Sequence, residues 1–342
     1  MKVAISNKIV DGPWGGGNLF VIALRDHLLS QGHDVVFDLN DIDIDIILLT
    51  DPRSRTRNVS ISVGMILRYL LFVNKKCVVI HRVNECDERK NTKTMNRRLI
   101  LANYVADYTV FIGSWLKNIE IWNKKTDQNS TVILNGADRV VFNTKGHAPW
   151  NEAEPLKLVT HHWGGNWMKG FDIYSAIDKL LQDNAWSKKI DFTYIGNLPK
   201  GFKFKNSSYS PPMQGKQLAS ELKRHHVYIT GSINEPAGMH HIEGAMCGLP
   251  ILYRNSGALP EYCDGYGVMF NDVNDFIPKL QEMMSNYTHW QSEIKKYSLT
   301  NEKMVESYVK LFDSLILRRD SIIKNRQIWR NIPIMLFNQI PL

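Results

Sequence analysis

The feature that most restricts this chain is an alternation that runs twice. Short β-branched runs are each followed by a longer stretch with helical spacing of apolar residues, and the pattern restarts near residue 155. "KVAIS" leads through a glycine-rich loop into "NLFVIALRDHLLSQGH", where Leu19, Ile22, Ala23, Leu28 and Leu29 recur at helical spacing until Gly32. "DVVFDL", "DIILLT" and "KCVVIH" read as strands and "MNRRLILANYVA" as a helix, and "DYTVFIG" and "STVILNGADRVVF" close the first half. The second half sets the strands "LKLVTHHW", "IDFTYIGN", "HVYITGS" and "LPILYR" among the helical stretches "GFDIYSAIDKLLQ", "GKQLASELKRH" and "HHIEGAMCG". Two more helical stretches end the chain. Such alternation predicts α/β architecture, with two doubly wound parallel-sheet domains. Residues 143–155, "NTKGHAPWNEAEP", are polar, aperiodic and hold two prolines, so they read as a linker.

The length of 342 residues suits two domains of roughly 100–200 residues each. With 44% hydrophobic and 22% charged residues the chain can bury sizeable cores, which excludes a disordered protein. None of the four cysteines forms a C-x-x-C pair, so no zinc clip is expected and a reducing, cytoplasmic setting is. "MKVAISNKIV" is too polar for a signal peptide and reads as a first strand. The most apolar stretch, Ile61 to Val73, carries Arg68 and is too short to span a bilayer, so it reads as a core helix. The net charge of +8 favours anionic partners: nucleic acid, an anionic membrane surface or phosphate-bearing small molecules. The lysines and arginines are scattered and no recognised module accompanies them, so no specific nucleic acid is expected.

Five stretches carry candidate chemistry. "GPWGGGN" (Gly12 to Asn18) joins the first strand to the first helix, where glycines let a backbone approach an anion. It lacks the Gly-Lys-Ser/Thr of a P-loop. G-x-G-x-x-G fits Gly15 and Gly17 but meets Phe20 at its third glycine, although Asp38 stands at a plausible distance for a ribose acid. "DIDIDI" (Asp41 to Ile46) contains D-x-D, yet its alternation runs on into "ILLT", so a solvated strand entry is the better reading than a metal site. "VVIHRVNE" puts His81 at the carboxyl end of a buried strand, followed by Arg82 and Glu85. "HHWGGNWMKGFD" holds the corresponding place in the second half, with Lys169 entering a helix N-terminus beside a glycine, well placed for a diphosphate. "NEPAGMHHIEGAMCGLP" (Asn234 to Pro250) sets Glu235 in a loop and Glu243 at a helix start. Carboxylates accept paired sugar hydroxyls, and the amides around Gly238, Met239 and His240 are placed for sugar hydroxyls or phosphate oxygens.

The last stretch resembles the E-x7-E signature of the retaining GT-B glycosyltransferases of the large family four. The other motifs follow in order: the glycine-rich first loop, His81, "VILNGAD", "KGFD" and "GALPE". The resemblance covers the chain to about residue 265. It implies two Rossmann-like domains facing across a cleft: residues 1–148, completed by a C-terminal helix at 320–342, and residues 149–319, which hold a nucleotide-sugar donor. Carried over by position, Glu243 would bind the ribose and Glu235 would sit near the donor sugar. The Gly238–His240 backbone would hold sugar hydroxyls, and His81 would meet the transferred sugar. Lys169 would neutralise the diphosphate, which the Gly16 and Gly17 amides would also approach. No metal or other cofactor is implied. The family pairs its lysine with an arginine about five residues earlier; here His162 or Asn166 stands in that region.

The implied activity is transfer of a hexose to a glycan or lipid-linked acceptor, with electrostatic help to the leaving diphosphate. The basic charge adds an expected peripheral contact with an anionic membrane at its inner face, through Arg97, Arg98, Lys124 and Lys125. Two rival readings stay open: a nicotinamide-dependent oxidoreductase, and a non-catalytic basic polyanion- or sugar-binding protein.

Overall fold

The computed structural model describes residues 1–12, 15–54, 56–122 and 129–340. Pro13, Trp14, Lys124 and Lys125, which enter two of the readings above, lie outside the described residues. The chain divides into two compact units, Met1–Leu134 with Glu302–Leu342, and Asn135–Asn301.

The sheet of the first unit is built from β1 (Lys2–Ile5), β2 (Asp34–Val36), β3 (Ile46–Leu49), β4 (Val78–Val83), β5 (Tyr108–Phe111) and β6 (Ser130–Val132). Its order is β2-β1-β3-β4-β5-β6, with every pair parallel. A parallel sheet must be covered on both faces, and the strands are accordingly apolar on both. Val3, Ile5, Ile46, Leu48, Val78 and Ile80 enter one core with Phe20, Val21, Leu24 and the late residues Tyr308 and Phe312. Their neighbours Ala4, Ile47, Leu49 and Val79 enter the other with Ile66, Leu67, Leu70 and Ala102. The stretch from Ile61 to Val73 is therefore a core helix (Val63–Phe72), N-capped by Ser62, whose side chain accepts the Met65 N–H.

The second unit holds β7 (Leu156–His162), β8 (Ile190–Gly196), β9 (Ser208–Ser210), β10 (Val227–Thr230), β11 (Ile251–Arg254) and β12 (Gly267–Phe270). Their order is β12-β11-β10-β7-β8-β9, again parallel throughout. Counted from its first strand, this is the order of a dinucleotide-type doubly wound sheet, with its switch point between β7 and β10. The core helix Phe171–Leu180 buries Phe171, Ile173, Tyr174 and Ile177 on this sheet. Each fully buried apolar side chain of this size stabilises the fold by about 1.5–3 kcal/mol.

Three local readings come out differently. The change of unit falls between Leu134 and Asn135, not at 148, and the return falls at Glu302, not at 320. The reason is local pairing. Ala137 N–H donates to Leu299 O (3.0 Å) and Asn301 N–H donates to Ala137 O (2.9 Å), so the two crossings run side by side. The helix Asn301–Leu317 then seats Met304, Val305, Tyr308, Phe312 and Leu315 in the first core. Residues 143–155 are not a free linker. Trp150 packs on the second core with its N–H on Tyr287 Oη (3.1 Å), and His147 Nε2 lies 3.1 Å from His225 O.

The stretch "DIDIDI" leads into a strand, as expected, but its aspartates are not merely solvated. β3 starts at Ile46, and the aspartates before it form a clamp. Asp41 and Asp43 hold Lys2 Nζ at 2.9 and 2.7 Å, while Asp45 accepts the Lys2 N–H at 2.9 Å and pairs with Arg319 at 3.1 Å.

Candidate functional site

The site residues of the second unit gather where β7 and β10 part. After β7 the chain passes through Trp163–Asn166 into a tight turn at Trp167–Lys169 and then Gly170, whose φ is +100°. A Cβ at Gly170 would lie 2.5 Å from the carbonyl carbon of Gly231, so the two loops after β7 and β10 touch through bare backbone. That contact brings Lys169 to Glu235. Lys169 Nζ lies 2.5 Å from Glu235 Oε2, and the two side chains are 8% and 2% exposed.

A buried ion pair costs desolvation that its attraction repays only with good geometry. Here the surroundings are neutral. His162, His240 and His241 are fully buried, and burial holds all three well below the usual histidine range, His241 at about 3. His162 Nε2 meets Tyr174 Oη at 2.8 Å, and His240 Nε2 meets Thr230 Oγ1 at 2.9 Å. His241 packs on Tyr262 (ring centroids 5.2 Å apart), with both ring nitrogens buried and without a hydrogen-bond partner among the described residues.

Glu243 is fixed from a different side. His161 Nε2 lies 2.7 Å from its Oε2, and Tyr228 Oη accepts the His161 N–H at 3.1 Å and meets His161 Nδ1 at 3.2 Å. An ionised carboxylate offers no proton, so the ring hydrogen toward Glu243 is on Nε2 and the imidazole orients the carboxylate. The helix His240–Met246 starts at the Met239 cap and carries Glu243 in its first turn. A Cβ on Gly238 would lie 2.3 Å from His240 Nδ1, so this glycine makes room for the histidine. The "GALPE" loop is tied in as well, with Ala258 N–H donating to Glu235 O at 2.8 Å.

The structure therefore joins Glu235, Lys169, Gly238, Met239, His240 and Glu243 into one cluster. Asn166 is half-buried in the same loop, and its Oδ1 has no partner among the described residues. His162 cannot stand in for an arginine: it is neutral, buried and bonded to Tyr174. Sequence reasoning missed His161, His241, Tyr174 and the pair of Arg254 with Asp172. Arg254, at the end of β11, is buried and meets Asp172 through both Nη atoms. It thereby anchors the helix that follows Lys169. The doublet "HH" ending a buried strand was the available signal for His161.

In the first unit, His81 lies within β4, which runs two residues past it, and is 0% exposed. Strand alternation aims it to the Val79 side, where the Asn103 amide nitrogen meets its Nδ1 at 3.1 Å. An amide NH2 only donates, so Nδ1 accepts and the ring hydrogen sits on Nε2, which is buried without a partner among the described residues. Burial pushes this histidine down to about 3. Gly16 and Gly17 open the helix Gly16–Ser30, whose first amides have no acceptor within the helix. A Cβ at Gly15 or Gly17 would meet nothing within 4 Å. Packing does not demand these two glycines.

No family model and no curated protein matches the chain. Solved structures do. HepE from Anabaena, in complex with UDP-glucose, is 13% identical, covers 92% of this chain and 100% of its own, and superposes with a TM-score of 0.64. Sucrose-phosphate synthase from Thermosynechococcus elongatus is 12% identical over 92% and 99% of the two chains, with a TM-score of 0.63. The catalytic domain of starch synthase IV from Arabidopsis thaliana, bound to ADP and acarbose, is 12% identical over 88% and 77%, with a TM-score of 0.60. These likenesses establish the fold: two Rossmann-like parallel-sheet domains of the GT-B type.

Proposed function

We propose that the chain is a glycosyltransferase of the retaining, E-x7-E type, moving a hexose from a nucleoside-diphosphate sugar to a glycan or lipid-linked acceptor without a metal. The observation that carries the reading is the buried Lys169–Glu235 pair at the switch point of the second sheet, with Glu243 held by His161 beside it. Ligands of doubly wound sheets bind at that point.

In this reading Glu243, oriented by His161, accepts the ribose hydroxyls. The diphosphate takes over Lys169 from Glu235. Charge grows on the leaving oxygen as the glycosidic bond breaks, and an ammonium among neutral histidines offsets it more strongly than it would in water. Glu235, released from the lysine, and the Gly238–His240 amides face the sugar. With His162 neutral, Lys169 carries the positive charge of its loop alone. The resemblance supports retention with electrostatic assistance to the leaving group, not a pair of carboxylates acting as in glycosidases. Among the described residues no cluster of metal-ligating side chains occurs, and no helix is long and apolar enough to cross a membrane. A peripheral contact with an anionic membrane belongs to the same proposal, as the route to a lipid-linked acceptor.

The test is a thermal-shift panel of UDP, GDP, ADP, CMP and NAD, with and without magnesium, on the wild type and Glu243→Ala. A ligand at about 100 times its dissociation constant adds about 2.7 kcal/mol of stability. The expected result is a shift with one nucleoside diphosphate, independent of magnesium and lost in the variant. A shift with NAD alone, or one that survives Glu243→Ala, overturns the reading.

A further inference from the structure

The C-terminal strap of the first unit has two unlike sides. Its inner side is built into the fold. Met335 and Asn338 are buried, the Asn338 amide donates to Leu101 O at 3.0 Å, Arg68 Nε donates to Gln339 Oε1 at 2.7 Å, and Tyr104 Oη donates to Ile328 O. A Cβ at Gly64 would lie 2.7 Å from Asn338 O, so the strap rests directly on the Val63–Phe72 helix. Its outer side carries Trp329, Ile332, Leu336 and Ile340 at spacings of three, four and four residues, and they are 63%, 54%, 58% and 55% exposed. Large apolar side chains aligned on the outside of an anchored strap are not accounted for by the core.

The stripe ends at a cavity of about 280 Å³ lined by Ile340 and Met65 together with Arg68, Arg98, Ser62 and Gln339. The surrounding segments are cationic without exception. Residues 52–76 carry six lysines and arginines, residues 89–106 five and residues 321–342 three, and none of the three segments contains an aspartate or glutamate. Acids from outside do pair with some of them: Asp51 with Arg53, Glu85 with Arg89 and Lys90, and Asp107 with Arg326. Arg68 and Arg98 at the cavity, and Arg97 and Arg330 in the same segments, have no carboxylate partner among the described residues.

We propose that this face docks on an anionic lipid surface, with Trp329, Ile332, Leu336 and Ile340 entering the headgroup–acyl boundary and Arg68 and Arg98 meeting lipid phosphates. An apolar stripe beside arginines that meet no carboxylate is the pattern of an interfacial segment, and long arginine side chains bury their stems while their heads stay polar. A second copy of the chain on this face would set cations against cations. The inference deepens the membrane contact proposed above and rests on that reading for its purpose, but it uses residues of the first unit alone.

The test is co-sedimentation of the full chain, without any sugar donor, with phosphatidylcholine vesicles and with equimolar phosphatidylcholine–phosphatidylglycerol vesicles. A failure here leaves the donor reading untouched. Binding to the anionic vesicles alone is expected, with release at high salt, an outcome that needs no variant. Each basic residue near an anionic surface contributes about fivefold to partition, so R68Q/R98Q should weaken binding roughly thirtyfold. Trp329→Ser with Leu336→Ser should weaken it at least as much, with melting temperatures of both variants recorded. Equal binding to neutral vesicles, no release by salt, or folded variants that bind as the wild type does would overturn the proposal. So would a solution dimer that Leu336→Ser dissolves.

Discussion

The two sheets finish their switch points in opposite ways. Between β1 and β3 the first unit places Ser6, Asn7 and Thr50. Ser6 Oγ lies 3.2 Å from Thr50 Oγ1, Thr50 Oγ1 donates to Asn7 Oδ1 at 2.8 Å, and Thr50 N–H donates to Ser6 Oγ at 2.9 Å. That network is small, neutral and mutually satisfied. Between β7 and β10 the second unit buries a lysine, two glutamates and four histidines. Buried charge is expensive, and none of Ser6, Asn7 and Thr50 carries any, whereas the first unit keeps its buried Asp51 just beyond them, paired with Arg53. The charged cluster of the second unit is what the proposed donor site rests on.

The sharpest way to break this contrast is Lys169→Ala. Removing one partner of a buried pair costs about 3–5 kcal/mol of stability. Loss of a group that stabilises developing charge lowers transfer by about 10²–10³-fold. Lys169→Met combined with Glu235→Leu separates the two effects: the melting temperature should recover while transfer stays lost. Recovery of transfer in the double variant would end the assignment of Lys169.

Next in size is Glu243→Gln. A hydrogen bond to a charged group contributes about 1.5–3 kcal/mol, so donor affinity by titration calorimetry should fall roughly tenfold to a hundredfold. An unchanged affinity would remove the ribose role from this carboxylate.

The glycines of the two units offer a paired test. Gly238→Ala drives a Cβ into His240 and should cost about 1–3 kcal/mol in a denaturant titration. Gly17→Ala meets nothing and sits in a first helical turn, so it should be neutral or stabilising by less than about 1 kcal/mol. If its amide approaches the donor phosphates, the donor KM nevertheless rises. Equal stability losses at the two sites would erase the distinction drawn between them.

The pH dependence accumulates gradually over a wide range. His81 and His241 are held at about 3 by burial, below the unfolded value near 6.5. The unfolded chain binds the proton first as pH falls, so their contribution is complete above about 6.5 and is lost from there toward about 3. Each histidine adds a slope of about 1.4 kcal/mol per pH unit in that window. His81→Gln should flatten the acid limb of the melting-temperature profile in the first unit, and an unchanged limb would contradict the burial argument.

Much of this was legible in the residues. The alternation in "KVAIS", "KCVVIH" and "LKLVTHHW" carried both sheets, because a strand covered on two faces has no polar side to hide. The motif stretch 234–250 placed Glu235 and Glu243 on a loop and a helix start, as found. Other elements were hidden. β9 is three residues long with two of them exposed, too short to show a period. The break between the units escaped notice because it rests on backbone hydrogen bonds of Ala137 with Leu299 and Asn301, which leave no side-chain signature. The Arg254–Asp172 pair spans 82 residues, beyond any local pattern.

The sequence by itself determined the fold class, the order of the motif-bearing loops and the chemical types gathered in them, because hydrophobic period and glycine placement are local properties. Only the tertiary structure decided which of those groups are charged and which are neutral. Lys169 meets Glu235 because Gly170 and Gly231 let two loops touch, His161 orients Glu243 from another strand, and His162 is neutral because Tyr174 and the sheet exclude water from it. Protonation and partnership depend on burial and on neighbours distant along the chain, and these exist only once the chain has folded.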